Sequence, residues 1–271
     1  MSDVLAGFFV VPFLTGLLLA VLLPVLGCYL RLRHEWLAAL AYGNLAAAGS
    51  LAALALGIPL VVGGMAAAVV AVLLRRRSGD APVRGSTYAF YLVGGWAVAV
   101  LLAANLPLAE RLGHALFDGQ LYFAERAHLL GTLGVGALVL PLLAALSKDL
   151  LLAEIFPRHH RLNGRSARAI HLGFDLLVVA SLAAATLSLG VIAGFALAFV
   201  PPWLAFARGA SWRQGLVLAV TAGVGAYVLA FSLALAFDQP FGPVLCLVLV
   251  GLAAAASGIP RGRRGSVEEK S

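Results

Sequence analysis

The distribution of charge along the chain is the feature that most limits how it can fold. Nine apolar stretches follow one another, and 17 of the 19 Lys and Arg residues lie in alternate connections between them. Basic residues concentrate in the cytoplasmic loops of membrane proteins, so this alternation indicates a polytopic protein with a defined orientation. For nine spans the pattern predicts an external N-terminus and a cytoplasmic C-terminus.

The composition also indicates a membrane protein. The 271 residues are 62% hydrophobic and only 11% charged, which is too little polar surface for a soluble domain of this size. A bilayer-spanning helix takes roughly 20 apolar residues, so we expect an all-α polytopic protein with about eight or nine transmembrane helices. We interpret residues 1–260 as one transmembrane domain and residues 261–271 as a disordered cytoplasmic tail. The net charge of +7 then belongs to cytoplasmic loops, and we expect no nucleic-acid partner.

Each apolar stretch has a length compatible with a helix. The stretches are Val4–Leu30, Trp36–Leu56, Leu60–Leu74, Thr87–Leu106, His128–Leu146, Ile170–Leu189, Val191–Phe206, Gly215–Phe237 and Gly242–Ala256. Only Leu189-Gly190 separates the sixth and seventh stretches. Two short spans, or one span followed by a re-entrant segment, are both compatible with that spacing.

The longest connection on the basic side, 147–169, contains a candidate short helix. Pro157 fits the first position of a helix, and Gly164 fits the position just after its end. A solvated loop that faces phospholipid headgroups is the alternative. The predicted segment comprises Phe156, Pro157, Arg158, His159, His160, Arg161, Leu162, Asn163 and Gly164. Adjacent residues point to different faces of a helix, so we interpret the two histidines as surface groups and not as a metal site.

Several short motifs, in this order and spacing, resemble the permease subunits of the zinc, manganese and iron ABC transporters. Residues 194–208 read GFALAFVPPWLAFAR, which is similar to a Gly-Ala-Leu-Leu…Pro-Ala…Ala-Arg stretch of that family. Residues 238–243 match its D-x-P-x-G-P turn, and residues 27–33 resemble its first cytoplasmic turn. Residues 116–119, Leu-Phe-Asp-Gly, are similar to its Leu-Phe-Gly-Asp with the last two residues exchanged.

The resemblance implies the metal-ABC-importer permease fold and a set of partners. It implies that 156–164 is the coupling helix, which sits in a groove of a separate ATP-binding subunit. It also implies a homodimer in the inner membrane, an extracytoplasmic solute-binding protein, and a divalent metal, zinc or manganese, as cargo. ATP would be held by the partner ATPase, and we expect this chain to bind no cofactor. The chain has no Walker Lys-Ser/Thr loop, HExxH or GxSxG motif, so we expect no enzymatic activity of its own.

The second apolar stretch departs from the family pattern. Family members usually carry an Asp and a His four residues apart in this span, facing the metal path. By spacing, the matching positions here are Ala38 and Tyr42, so neither residue type is retained. Tyr42 and the nearby Asn44 are our candidates for the translocation path, with interhelical hydrogen bonding as the alternative role.

Two further groups of polar residues are candidate cation ligands. His171 and Asp175 lie four residues apart near the cytoplasmic end of the sixth stretch, which suits either a cation exit site or a salt-bridged helix end. Glu110, His114 and Asp118 share the same spacing. If that stretch is helical, they form one face, which predicts an outer vestibule that collects cations. A solvated face paired with neighbouring arginines is the alternative.

Two other functional classes stay compatible with the sequence. One is an ABC permease for a different small solute or a metal chelate, which a wide apolar path without ligand side chains would favour. The other is a secondary carrier outside the ABC class, or a membrane scaffold. Inverted repeats with helices broken at mid-membrane would favour a carrier.

Overall fold

The structure is a computed structural model that describes residues 2–77, 86–119, 121–156, 167–207 and 211–258. Within these ranges the chain forms ten α-helices and one short 3-10 helix, and no strand. The α-helices are α1 Ser2–Leu32, α2 Leu37–Ala55, α3 Leu60–Arg77, α4 Ser86–Asn105, α5 Pro107–Asp118, α6 Arg126–Ile155, α7 Ala167–Ser188, α8 Val191–Ala207, α9 Trp212–Ala236 and α10 Phe241–Gly258. The 3-10 helix Leu121–Phe123 connects α5 to α6.

Nine of the ten helices coincide with the nine apolar stretches, which confirms the predicted all-α polytopic class. Six of them, in α1, α2, α4, α6, α7 and α9, are long and apolar enough to cross a bilayer. The helices α3, α8 and α10 are apolar but shorter. The sixth and seventh stretches form two separate helices, because Gly190 adopts a φ of +87° between α7 and α8.

The helix α6 extends further than the apolar pattern predicted. The fifth stretch was expected to end at Leu146, yet α6 continues through Lys148 and Asp149 to Ile155. No Gly or Pro lies between Leu146 and Pro157, and a helix usually ends at or before the residue that precedes a proline. At 1.5 Å per residue this 30-residue helix is about 45 Å long, so it exceeds the roughly 30 Å hydrocarbon core of a bilayer.

The helix α2 lies at the centre of the bundle and packs against α3, α4, α7 and α8. Its sequence consists mainly of Ala and Leu with Gly43, Gly49 and Ser50. A Cβ atom added at Gly49 would overlap the carbonyl oxygen of Gly63 in α3, so these two backbones are in direct contact. Small residues allow this approach in a bilayer, where apolar side chains gain little by leaving lipid for protein.

A second close contact joins α1 to α8 at a proline. Pro202 has no N–H to donate to the carbonyl of Ala198, four residues earlier in α8. Gly27 of α1 lies against that carbonyl, and a Cβ atom at this position would overlap its oxygen. Because lipid supplies no hydrogen bond to such a carbonyl, the approach of a glycine Cα–H group provides a weak substitute.

The same arrangement recurs between α1 and α9. Pro24 leaves the carbonyl of Ala20 without its helical donor, and Gly223 of α9 faces it. A Cβ atom at Gly223 would lie 3.0 Å from the Ala20 oxygen and 2.6 Å from the Pro24 ring. The prolines in α1 and α8 are therefore points where a neighbouring helix packs most closely.

At one end of the bundle, three turns meet backbone to backbone at Gly119, Gly190 and Gly242, which we call the three-glycine junction. A Cβ atom at Gly119 would overlap the carbonyl oxygen of Leu189, and one at Gly242 would overlap that of Asp118. Gly119 also has a φ of +83° and a ψ of 129°, a backbone conformation that lies outside the left-handed helical region and favours glycine. The junction fixes the turn between α7 and α8 against the ends of α5 and α10.

We predict that Gly27→Ala lowers the free energy of unfolding by about 1–3 kcal/mol or more, because the added methyl group meets a backbone carbonyl that no rotamer change can move. The measurement is the midpoint of thermal unfolding in detergent. Gly225→Ala in α9 is the control, because no described heavy atom lies within 4 Å of its added Cβ. Equal midpoints for the two variants would contradict the close contact between α1 and α8.

Candidate functional site

Four charged side chains meet inside the protein at the end of the bundle opposite the three-glycine junction. Arg33 and Glu35 lie in the turn between α1 and α2, Arg75 lies near the end of α3, and Asp175 lies in the third turn of α7. We call them the four-charge cluster. The side chains of Arg33 and Asp175 are only 6% and 3% exposed, so this group is part of the protein interior.

Asp175 lies between the two arginines. Its Oδ1 accepts a hydrogen bond from Arg33 Nη1 at 2.9 Å, and its Oδ2 accepts one from Arg75 Nη2 at 3.0 Å. Glu35 completes the cluster, with Oε2 2.7 Å from Arg33 Nη2 and Oε1 3.6 Å from Arg75 Nη1. Two positive and two negative charges give a formal sum of zero, which is the condition under which buried charges are tolerated.

The end of α1 positions the first two members of the cluster. Glu35 N donates to Leu30 O at 2.9 Å, and His34 N donates to Arg31 O at 3.0 Å. This is the hydrogen-bond pattern of a Schellman motif, and His34 occupies its left-handed position with a φ of +55°. The sharp turn stops α1 and leaves Arg33 and Glu35 on either side of His34, next to α3 and α7.

Aromatic rings line the cluster. The guanidinium carbon of Arg33 lies 5.0 Å from the ring centre of Phe174, and that of Arg75 lies 5.2 Å from the ring centre of Tyr88. The ring of Tyr88 packs edge-on against Tyr42 of α2, with their centres 5.8 Å apart. Both tyrosines are 1% exposed, and within the described residues neither hydroxyl has a hydrogen-bond partner. The polar side chains around the cluster therefore reach as far as the second turn of α2.

Burial and neighbouring charges act in opposite directions on the pKa values of Arg33 and Glu35, the two cluster residues in the α1–α2 turn. Desolvation lowers the pKa of Arg33, but Asp175 and Glu35 more than compensate and raise it above its ordinary value. Burial raises the pKa of the Glu35 carboxyl, and the neighbouring Arg33 and Arg75 oppose that rise. The guanidinium group of Arg33 is therefore charged at any physiological pH.

The predicted path residues do not form one group in the structure. Tyr42 is enclosed between helices as described above. Asn44 is 5% exposed, and its Nδ2 donates to Leu40 O at 2.9 Å within α2. His171 is half-buried one turn before Asp175, whose two carboxylate oxygens both accept from arginines. The roles of these four residues in transport stay predictions.

The three residues of the predicted outer vestibule lie on a helix, α5, which is the condition for their spacing to place them on one face. Glu110, His114 and Asp118 are exposed on α5, and His114 Nδ1 lies 3.9 Å from Asp118 Oδ2. The opposite face of α5 is buried against α4 and α2. Glu125 and His128, which follow, form a capping box at the start of α6. The vestibule role of the α5 residues stays a prediction.

The predicted coupling segment lies almost wholly outside the described residues. Only Phe156 is described: it caps the end of α6 and is 61% exposed. Pro157 to Gly164 lie beyond that point. Among the described residues, no group of three or more His, Cys, Asp or Glu side chains could hold a metal ion.

Sequence reasoning singled out only one of the four cluster residues. Arg33 and Arg75 are two of the 17 basic residues in the alternate connections, which indicated only orientation, and no pattern pointed to Glu35. The available signal was the presence of an acidic residue, Glu35, in an otherwise basic turn and of a second, Asp175, inside an apolar stretch. A charge inside a membrane-spanning segment usually has a partner, although its identity cannot be read from local sequence.

Comparison with known proteins shows similarity over nearly the whole chain. The model of the ABC 3 transport family matches residues 7–258. The chain is 28% identical over 253 residues to the chelated iron transport system membrane protein YfeD of Yersinia pestis, covering 89% of this chain and 83% of that protein. It is 24% identical over 234 residues to the manganese transport system membrane protein MntB of Synechocystis sp., covering 84% and 75% of the two chains.

The fold also matches a solved structure. PsaBC from Streptococcus pneumoniae in complex with Fab superposes with a TM-score of 0.81 at 20% identity, over 93% of this chain and 91% of that chain. At that level of identity the likeness describes the fold. It agrees with the ten-helix arrangement found here.

We predict that Asp175→Asn lowers the free energy of unfolding by about 3–5 kcal/mol, because it leaves the buried guanidinium group of Arg33 and the half-buried one of Arg75 with Glu35 as their one remaining anion in the cluster. Thermal unfolding in detergent measures the loss. Asp118→Asn is the control, because that side chain is 64% exposed and its change should cost less than about 0.5 kcal/mol. A small loss for Asp175→Asn would mean that the arginine charges reach solvent.

Proposed function

The chain belongs to the ABC 3 transport family, and we propose that it is the membrane-spanning permease subunit of an ABC importer for a transition-metal ion. The match of the family model to residues 7–258 carries this proposal. Two similar proteins are named for iron and manganese transport, which supports a divalent first-row metal as the cargo. Manganese, zinc and iron are the ions to test.

The proposed importer contains further subunits. Two copies of this chain would enclose the path, two ATP-binding subunits would dock on the cytoplasmic side, and a solute-binding protein would deliver cargo from outside. ATP-driven closure of the ATPases would push the 156–164 segment and tilt the spans. The alternation of Lys and Arg supports the orientation with an external N-terminus and a cytoplasmic C-terminus.

A specific observation favours a second candidate, a permease for a chelated metal. Ala38 and Tyr42, at the positions of the usual Asp and His, are each 1% exposed and offer no imidazole or carboxylate. A bare transition-metal ion exchanges its waters for such ligands, whereas a chelate carries its own. The similar YfeD protein is named for chelated iron, which agrees with this alternative.

Co-purification from membranes in mild detergent, followed by uptake assays in vesicles, tests both candidates. We expect a stoichiometric ATP-binding subunit, and ATP-dependent uptake of labelled manganese, zinc or iron. Supplying the same ion free and bound to a chelator then separates the two cargo classes. A well-folded preparation without any ATPase partner would refute the ABC permease assignment.

We predict that Gly164→Pro, or Arg158→Glu with Arg161→Glu, uncouples ATP hydrolysis from transport, because either change disrupts the surface that would sit in the ATPase. The measurement is ATP hydrolysed per ion taken up by the assembled importer. The matched control is Arg111→Glu on α5, which reverses a charge at the opposite end of the bundle. Normal coupling in the two 156–164 variants would refute the coupling role.

A further inference from the structure

We propose that Asp175, held by Arg33 and Arg75, is a mechanical joint that passes movement of α7 to the α1–α2 turn and to α3. This inference rests on the proposed function, because it needs an ATPase that moves the 156–164 segment. It concerns residues that lie outside that segment. Asp175 acts here as a positioning residue.

The position of Asp175 along α7 supports this role. The first described residue of α7, Ala167, follows the 156–164 segment after two residues, and Asp175 is eight residues further. At 1.5 Å per residue that distance is about 12 Å of continuous helix. A push that reaches Ala167 is therefore passed to Asp175 through continuous helix.

The two arginines place the joint between separate parts of the bundle. Arg33 is 142 residues from Asp175 in sequence and belongs to the turn that leads directly into α2. Arg75 is 100 residues away and lies near the end of α3, which packs along α2 through the Gly49–Gly63 contact. The Arg33–Asp175 contact and the Arg75–Asp175 contact, which we call the two arms of the joint, therefore both connect α7 to elements next to α2, the central helix of the bundle.

Ion pairs in a protein interior suit a joint better than apolar packing does. Apolar surfaces can slide past one another with little change in energy, whereas each guanidinium–carboxylate bond has a defined length and direction. Breaking one in a low-dielectric interior leaves uncompensated charge, so intermediate positions are disfavoured. Such clusters add little net stability over apolar side chains of similar size, so stability alone does not account for this one.

The other end of α7 is held in a different way. There the Leu189-Gly190 turn contacts the backbones of Gly119 and Gly242 in the three-glycine junction. Backbone packing without side chains leaves no room for adjustment. The helix α7 is thus fixed by backbone packing at one end and held by directional ion pairs at the other, which is the arrangement of a lever.

The test uses two charge-balanced double variants that leave Asp175 unchanged. Arg33→Met with Glu35→Gln removes the arm to the α1–α2 turn and leaves the Arg75–Asp175 pair. Arg75→Met with Glu35→Gln removes the arm to α3 and leaves the Arg33–Asp175 pair. Because each variant removes one positive and one negative charge, neither leaves an unbalanced charge in the cluster.

The matched control is Lys148→Met with Asp149→Asn in α6. It removes the same number of charges at the same end of the bundle, outside the cluster. All variants are assembled with the ATPase and the binding protein in vesicles. The measurements are ATP hydrolysis, ion uptake, the KM for the ion, and the unfolding midpoint of each complex.

We expect both cluster variants to lower uptake per ATP hydrolysed by about 5-fold or more, with ATP hydrolysis and the KM for the ion retained. The α6 control should behave like the unaltered importer. Normal uptake per ATP in both cluster variants would overturn the joint, as would a parallel loss of ATP hydrolysis and uptake in a folded complex. A raised KM would instead make the cluster part of the cargo path. If the unaltered complex lacks ATP-driven uptake, the proposed function fails, and the joint fails with it.

Discussion

The structure depends on direct contact between helix backbones. In a bilayer an apolar side chain gains little by moving from lipid to protein, so helices associate through close packing and through the few polar groups that they can satisfy. Gly27 and Gly223 show how these two needs are met together, since each glycine covers a carbonyl that a proline has left without its helical donor. Each close contact therefore needs both residues, a proline on one helix that frees a carbonyl and a glycine on the neighbouring helix that approaches it.

The four-charge cluster differs from these backbone contacts, because there the helices are joined by charged side chains. Burying Arg33 and Asp175 requires each charge to be matched, and the geometry matches them with hydrogen bonds of 2.9 and 3.0 Å from two arginines. An apolar interior of the same volume would hold the helices at less cost in desolvation. The contrast between this polar end of α7 and the backbone junction at its other end indicates that the two ends serve different purposes.

Much of the fold could be predicted from the sequence, because span length and loop charge are local properties. The nine helices follow from apolar stretches with lengths compatible with helices, whereas a helix at α5 was considered only as a condition for Glu110, His114 and Asp118 to share one face. The predicted end of the fifth helix, at Leu146, was wrong. Lys148 and Asp149 were interpreted as loop residues, although no Gly or Pro between Leu146 and Pro157 would end the helix. Of the two interpretations offered for Asp175, the salt-bridged helix end matches its contacts in the structure.

The partners of Asp175 could not be predicted in the same way. Arg33 and Arg75 are separated from it by 142 and 100 residues, and only the packing of α1, α3 and α7 brings them together. The same limit applies to Gly27, whose partner Ala198 lies on a different helix in the second half of the chain. Periodicity identifies which residues share a face of one helix, whereas the choice of neighbouring helix depends on the complete bundle.

The surroundings of Tyr42 bear on the prediction that this residue lines the translocation path. The phenol replaces a ligand that would be imidazole in the family pattern, and it packs against Tyr88, whose ring lies under the Arg75 guanidinium. A cation that approached this layer would meet two arginines whose charge is already balanced by Glu35 and Asp175, so it could gain a carboxylate only by separating an ion pair. Cargo that retains its own ligands, whether waters or a chelator, avoids that exchange. Under the proposed function, the arrangement around α2 favours a cargo that needs no side-chain coordination at this level.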